Sequence, residues 1–297
     1  MAERAATVKS GDPDFIHLVE QGLFFGSVHS VFERTLNIAD ATTGELYTIA
    51  NHAVDNGPNT LVTELDRCST LGLAAHDRVI SENQCLIVEG KLEISVVGAE
   101  PWHAVLPAYP REQERLLANV QVAKRHIDAF GQNGGMLKSV APVSSFEAET
   151  RRLLAERSSH LLAELAAGRW RDAIPSALGL VGLGPGLTPS GDDYLTGLFT
   201  AFNLPNSPLW SGRPFCSEVV AGASELTNPI SFITMKKAAD GQVRESIIRF
   251  VQAAVEGIPE ETTERLAEVL RIGSSSGTEI ALGLIHGLEL NLEQRWR

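Results

Sequence analysis

Between Gly182 and Asp193 the chain places four glycines, two prolines, Thr188, Ser190 and the adjacent carboxylates Asp192 and Asp193, then runs into the apolar stretch Tyr194–Phe202. So much glycine and proline makes a loop, and the apolar stretch makes a buried helix. The junction is therefore a helix N-terminus. Amides there carry partial positive charge, and glycines let the backbone approach a ligand closely, which suits a phosphate or a carboxylate. Gly184, Gly186 and Gly191, with the hydroxyls of Thr188 and Ser190, are the candidate anion-binding groups. No Gly-Lys-Ser/Thr follows and no strand-helix-strand context surrounds the loop, so neither a Walker loop nor a dinucleotide fingerprint is present.

The pattern returns near the C-terminus. SGDDYLTGLFTAF from Ser190 aligns without gaps with SGTEIALGLIHGL from Ser276, pairing Asp193 with Glu279, Gly197 with Gly283 and Leu198 with Leu284. A Gly/Ser loop, Gly273–Ser276, precedes the second copy as well. If the two helix starts converge, they form two ends of one pocket for a substrate with two acidic groups. Ser274, Ser275, Ser276, Gly277, Thr278 and Glu279 then supply the second end, and the small residues Gly197, Ala201, Gly283 and Gly287 let the helices pack closely. A plainer reading stands beside this one. Ser190-x-x-Asp193 and Ser276-x-x-Glu279 both fit a capping box, which needs no ligand. Asp192 is left over from such a cap, so its carboxylate is the candidate to hold Mg2+, orient a substrate amide or act as a base. Asp192 and Asp193 are the catalytic candidates.

In TNPIS, Thr227, Asn228 and Ser231 surround Pro229, where one helix must end and another begin. These residues either touch substrate or cap the second helix. Lys236 and Lys237 follow within two turns and suit either an anion pocket or a solvated face. The eight histidines lack metal-ligand spacing, and no nucleophile elbow or Cys/His pair supports acyl chemistry. Asn51, His52, Asp55 and Asn59 form a polar loop that could border the pocket.

The elements that position these residues divide by period. From Gly22 to about Pro107 the pattern is β, with hairpins expected around Asp40–Gly44 and Glu89–Lys91. Beyond Pro110 the spacing is helical: Leu116, Val120, Ala123, Ile127 and Phe130 share a face, which FGQNGG terminates. Further helices are predicted over 146–167, 171–180, 192–203, 214–227, 231–240, 242–256, 260–271 and 277–291. The fold class is α+β: a β-rich N-terminal domain over 1–108, a small barrel or sandwich, then an all-helical domain over 109–297.

Composition bounds the function. Of 297 residues 43% are hydrophobic and 21% charged, as in an ordinary globular chain, and the net charge of -12 argues against a nucleic-acid partner. Cys68, Cys85 and Cys216 are odd in number and widely spaced, which fits a reducing cytosol better than a disulfide framework. Met1–Phe15 lacks the apolar core of a signal peptide and no stretch suits a membrane span, so the expected localisation is cytoplasmic.

GLGPGLTPSGDDYLTG, TNPIS and GSSSGTEIALG, in that order, resemble the AllH family, known from the oxamate carbamoyltransferase of bacterial allantoin breakdown. The resemblance covers mainly the C-terminal two thirds. It implies carbamoyl transfer between carbamoyl phosphate and oxamate, giving oxalurate and phosphate, as one subunit beside two others. This chain departs from the family pattern at Ser274 and Glu279, where a histidine and an aspartate are expected. The leading reading is thus a carbamoyltransferase subunit binding a small anionic substrate, with other enzyme subunits as partners. The alternative is a non-catalytic structural or regulatory subunit. A metal-dependent hydrolase would need more carboxylates or histidines near the loops.

Overall fold

A computed structural model describes residues 4–133, 135–137 and 144–294. The chain divides into two compact units, Met1–Ala104 and Val105–Arg297, each with its own hydrophobic core.

The first unit is built on β1 (Arg4–Gly11), α1 (Pro13–Glu20), β2 (Phe25–Val31), β3 (Thr35–Asp40), β4 (Leu46–Ala50), β5 (Thr60–Thr63), β6 (Arg78–Glu82), β7 (Cys85–Val88), β8 (Leu92–Ser95) and the short β9 (Glu100–Pro101). Both expected hairpins form: β3 pairs antiparallel with β4 around the Asp40–Gly44 turn, and β7 with β8 around Gly90. The strand order β5-β4-β3-β2-β6-β7-β8-β1 is closed by an antiparallel pairing of β1 with β5, giving an eight-stranded barrel. Closure removes the sheet edges that would otherwise present unpaired amides. Leu36, Ile38, Ile49, Leu61, Leu86, Leu92 and Ile94 point into the barrel core and are fully buried. Phe15 and Val19 of α1 are buried in the same core. Two elements precede the point where the sequence pattern turns β. Asp12 starts α1, its Oδ1 accepting from the amides of Asp14 (2.9 Å) and Phe15 (3.1 Å), and β1 supplies the strand that closes the barrel.

The second unit is helical: α2 (Glu114–Phe130), α3 (Ser145–Ala166), α4 (Trp170–Leu180), α5 (Ser190–Phe202), α6 (Arg213–Ala223), α7 (Pro229–Ala239), α8 (Glu245–Glu256), α9 (Pro259–Leu270) and α10 (Ser276–Gln294). α5 is buried at every position, which explains its unbroken apolarity. It packs along α10, while α7 lies against α5, and α2 and α9 against α10. The close approach of α5 and α10 has a specific cause. A Cβ built on Gly197 would stand 1.9 Å from the Ile280 carbonyl, and one on Gly283 would stand 1.9 Å from the Tyr194 carbonyl. Ile280 and Tyr194 hold equivalent positions in the two sequence copies. The contact is therefore reciprocal, each copy's glycine receiving the other's backbone, as across an approximate two-fold axis.

Candidate functional site

The two helix starts meet. The hydroxyls of Thr188, in the first loop, and Ser276, at the start of α10, are 2.8 Å apart. Thr188 Oγ1 also donates to Asp193 Oδ2 (3.0 Å), and the Ser276 hydroxyl bonds the same carboxyl. The acid of α5 thus reaches the first serine of α10. The converse holds for Glu279, whose carboxyl has the Ser190 hydroxyl beside it and accepts at Oε1 from the Met136 amide (3.1 Å).

This crossing corrects the capping-box reading. α5 has Pro189 at its N-cap and no side-chain cap bond; the Asp193 amide donates to the Pro189 carbonyl and the Glu279 amide to that of Ser275. Ser190 and Ser276 therefore stand inside the first turns, one place too late to cap them. Because the two helix starts are packed against one another, each acid finds its hydroxyl across the junction.

Burial drives the electrostatics. Asp193 is 5% exposed and Glu279 0%. Desolvation, opposed by their hydrogen bonds and reinforced by neighbouring carboxylate charge, pushes each up to about 7. Glu279 Oε2 is shut off from solvent and has no hydrogen-bond partner of normal geometry among the described residues, although the Ser190 hydroxyl and Gly135 amide stand close to the carboxyl.

Asp192 has a different task. Its Oδ1 accepts from the Gly182 amide (2.7 Å) and its Oδ2 from the Thr227 hydroxyl, while Ser231 bonds the same carboxyl. Burial to 1% exposure raises its pKa and these donors oppose the rise. Both oxygens accept hydrogen bonds that tie the glycine loop to the TNPIS joint. Among the described residues no group of three or more His, Cys, Asp or Glu side chains is placed to hold a metal ion. Asn228 takes the capping role and also ties the glycine loop to α7. Its Oδ1 accepts from the amides of Ile230 and Ser231, capping α7, and its Nδ2 donates to the Leu187 carbonyl (2.7 Å) in the glycine loop. Lys236 and Lys237 lie in the last turn of α7, about 12 Å along the helix from that cap.

The other candidates separate by exposure. Gly184, Gly186 and Thr188 in the first loop and Ser274, Ser275 and Ser276 in the second keep accessible surface; Ser190, Gly191, Gly277 and Thr278 are buried. The Gly191 amide donates to the Leu183 carbonyl (2.9 Å) and the Gly277 amide to that of Ile272 (3.0 Å). Those two amides are therefore already matched, and the accessible surface of the two loops belongs to the residues around Gly184–Thr188 and Ser274–Ser276.

A third loop, which the sequence reading treated only as a helix stop, covers the junction. The Gln132 amide donates to Thr278 Oγ1 (2.8 Å), the Gly135 amide to Ser190 Oγ (3.2 Å), and the Met136 amide to Glu279. Gly135 was the available signal: a Cβ there would stand 2.8 Å from Ser190 Oγ, so the loop comes this close to the start of α5 only without a side chain. His286 lies nearly three turns along α10. Its Nδ1 is 2.9 Å from the hydroxyl of the buried Tyr194; burial raises the tyrosine pKa and lowers that of the histidine, so a phenol donates to a neutral imidazole. In the first unit Asn51 Nδ2 donates to the Asp66 carbonyl (2.6 Å) and Asn59 Nδ2 to that of Leu46 (2.9 Å), which fixes the polar loop on its own barrel.

A groove of about 1190 Å³ opens elsewhere on the helical unit, lined by Tyr109, Arg111, Arg115, Asn206, Ser207 and Glu256 among others. The Arg115 guanidinium there donates to the Glu256 carbonyl (2.7 Å). Its lining mixes arginine and glutamate, and it includes none of the repeated motifs.

A closed β-barrel unit and a helical unit centred on two reciprocally packed helix starts define the chain as an α+β protein with an internal pseudo-repeat. Residues 7–101 match the N-terminal domain of the AllH family, and residues 180–288 match oxamate carbamoyltransferase subunit AllH. The chain belongs to the AllH family. No solved structure matches it. Among the described residues no helix is long and apolar enough to cross a membrane.

Proposed function

We propose that the chain is the oxamate carbamoyltransferase subunit that holds a small anionic substrate, carbamoyl phosphate or oxamate, at the junction of its two repeated loops. The observation that carries this reading is the 2.8 Å contact of Thr188 and Ser276. It joins half-buried hydroxyls of both copies at one place, next to the loop that carries Gly184 and Gly186. Oriented donors of that kind stabilise a phosphate or carboxylate and, during transfer, a phosphate leaving group. Isothermal calorimetry with oxamate, phosphate and carbamoyl phosphate tests it. Binding of at least one anion is expected, weakened at least tenfold in Thr188→Val and Ser276→Ala, since each removes a donor and leaves its partner unmatched. Binding unchanged in both variants contradicts the assignment.

A second reading has its own support. The first-turn amides at Gly191 and Gly277 are already matched, and Leu187 (54% exposed) and Leu226 (48%) display apolar surface on the neighbouring loops. In that reading the junction is a face for other subunits of the enzyme. Copurification of a stable complex by a chain that binds no small anion would favour it.

A further inference from the structure

Thr188 and Ser276 bring two hydroxyl protons to the mouth of the junction, and the direction in which those protons point depends on Asp193. With Asp193 ionised, its carboxylate accepts from both hydroxyls, so the protons face inward and the lone pairs face a ligand. That arrangement repels an oxyanion. With Asp193 neutral, its O–H donates to Thr188, Thr188 donates to Ser276, and the Ser276 proton is free to point outward. A hydroxyl both donates and accepts, so the chain reverses by rotation of light atoms alone.

We propose that Asp193 and Glu279 hold one proton between them and that this proton turns the Thr188–Ser276 hydroxyl pair outward, so that the junction takes up a small oxyanion together with a proton. The inference rests on the junction being an anion site. Asp193 and Glu279 act through the hydroxyls as positioning residues.

Three observations support it. The two acids occupy equivalent places on two packed helices, each reaching the other helix's serine. Glu279 Oε2 is fully buried and has no partner of normal geometry among the described residues, so an ionised carboxylate would keep lone pairs at that oxygen unmatched and desolvated. The charges that bear on the pair are all negative: Asp192 acts on Asp193, and Asp193 acts on Glu279. Among the described residues the remaining neighbours are uncharged, namely the hydroxyls of Thr188, Ser190 and Ser276 and the amides of Gly135 and Met136 from the covering loop. On α7, Ser231 and, just before it, Thr227 face Asp192. Farther along α10 the Glu289 charge is matched by Lys124 at 2.5 Å. Two buried carboxyls in each other's field, with no cation beside them among the described residues, do not both ionise at neutral pH.

Sulfate is the appropriate probe, because it does not itself titrate near neutrality. Calorimetry of the full chain at constant ionic strength is expected to show sulfate binding about tenfold weaker at pH 8 than at pH 6, as the competent fraction falls. At pH 8, runs in two buffers of different ionisation enthalpy are expected to show about one proton taken up per sulfate. In Asp193→Asn and in Glu279→Gln the pH dependence shrinks, with folding confirmed by circular dichroism; the proton count of the wild type stands independently of either variant. Sulfate binding of equal strength at both pH values, without proton uptake, overturns the coupling and leaves the anion site standing. No sulfate binding at either pH overturns the site and the coupling together.

Discussion

Gly283→Ala is expected to lower the melting temperature of the protein by about 6–12 °C, the equivalent of about 3 kcal/mol for a unit of this size. A methyl group there would lie 1.9 Å from the Tyr194 carbonyl and 2.8 Å from the carbonyl carbon. Overpacking against side chains costs about 1–3 kcal/mol, because rotamers can give. Backbone of a fully buried helix cannot, so α5 and α10 must separate, and with them the Thr188–Ser276 contact. Gly222→Ala is the control. Its added Cβ would meet Leu178 side-chain carbons at 3.1 and 3.2 Å, which can shift; replacing glycine within α6 improves helix propensity by up to about 1 kcal/mol. Its melting temperature should stay within a few degrees of the wild type or rise. Equal losses in the two variants, followed by thermal melts, would remove the close-packed repeat from the account.

Glu279→Gln is expected to stabilise the protein at pH 8 and to leave it nearly unchanged at pH 5. The folded protein holds Asp193 and Glu279 near pH 7, above the values near 4 of an unfolded chain. A native pKa above the unfolded one means that the folded state binds more protons between those values. Stability from this pair is therefore fully present below about pH 4, declines as pH rises, and is lost above about pH 7. Glutamine is uncharged at every pH, can accept from the Met136 amide and can bond Ser190, so it escapes the cost of a buried carboxylate. With the neighbouring charge removed, Asp193 also ionises more readily. The gain at pH 8 is about 2 kcal/mol, because the two titrations are coupled and the shifts cannot be added. Urea denaturation of both proteins at pH 5, 6.5 and 8 checks it; a variant that tracks the wild type at all three values would show that the pair does not share its burden in this way.

Much of the scaffold was legible because it is local. The helices follow from apolar period, and each hairpin from alternation about an Asp/Gly or Gly/Lys turn. The small residues along α5 and α10 announced close packing before any coordinates. β1 escaped because RAATVKSG buries little: only Val8 and Gly11 are buried, so alternation is weak, and what makes it a strand is pairing with β5 and β8. α1 carried a readable signal in Asp12-Pro13, an N-cap followed by proline in the first turn.

The site was legible in its parts and not in its wiring. Thr188 and Ser276 stand 88 residues apart, and the gapless echo raised the convergence of their loops as one of two readings. That same echo suggested local capping for Asp193 and Glu279, and there the local rule fails. Ser-x-x-acid has the right spacing within one helix, but burial of both helix starts at a common junction offers each acid a partner on the other helix. Asp192 illustrates the same limit from the opposite side. Its neighbours Gly182, Thr227 and Ser231 lie up to 39 positions away, so nothing in GDD alone shows that Asp192 ties the glycine loop to the TNPIS joint. The loop around Gly135 was missed because its contribution is main-chain amides, which every residue but proline possesses.

The proposed anion site is the junction of the two repeated loops. A crystal structure of the full chain soaked with oxamate tests it most directly. The expected result is the anion bridging Thr188 and Ser276, within hydrogen-bond distance of both hydroxyls and of the Gly184–Gly186 backbone. Oxamate seated instead in the groove at Arg111 and Arg115, with the junction untouched, would contradict it.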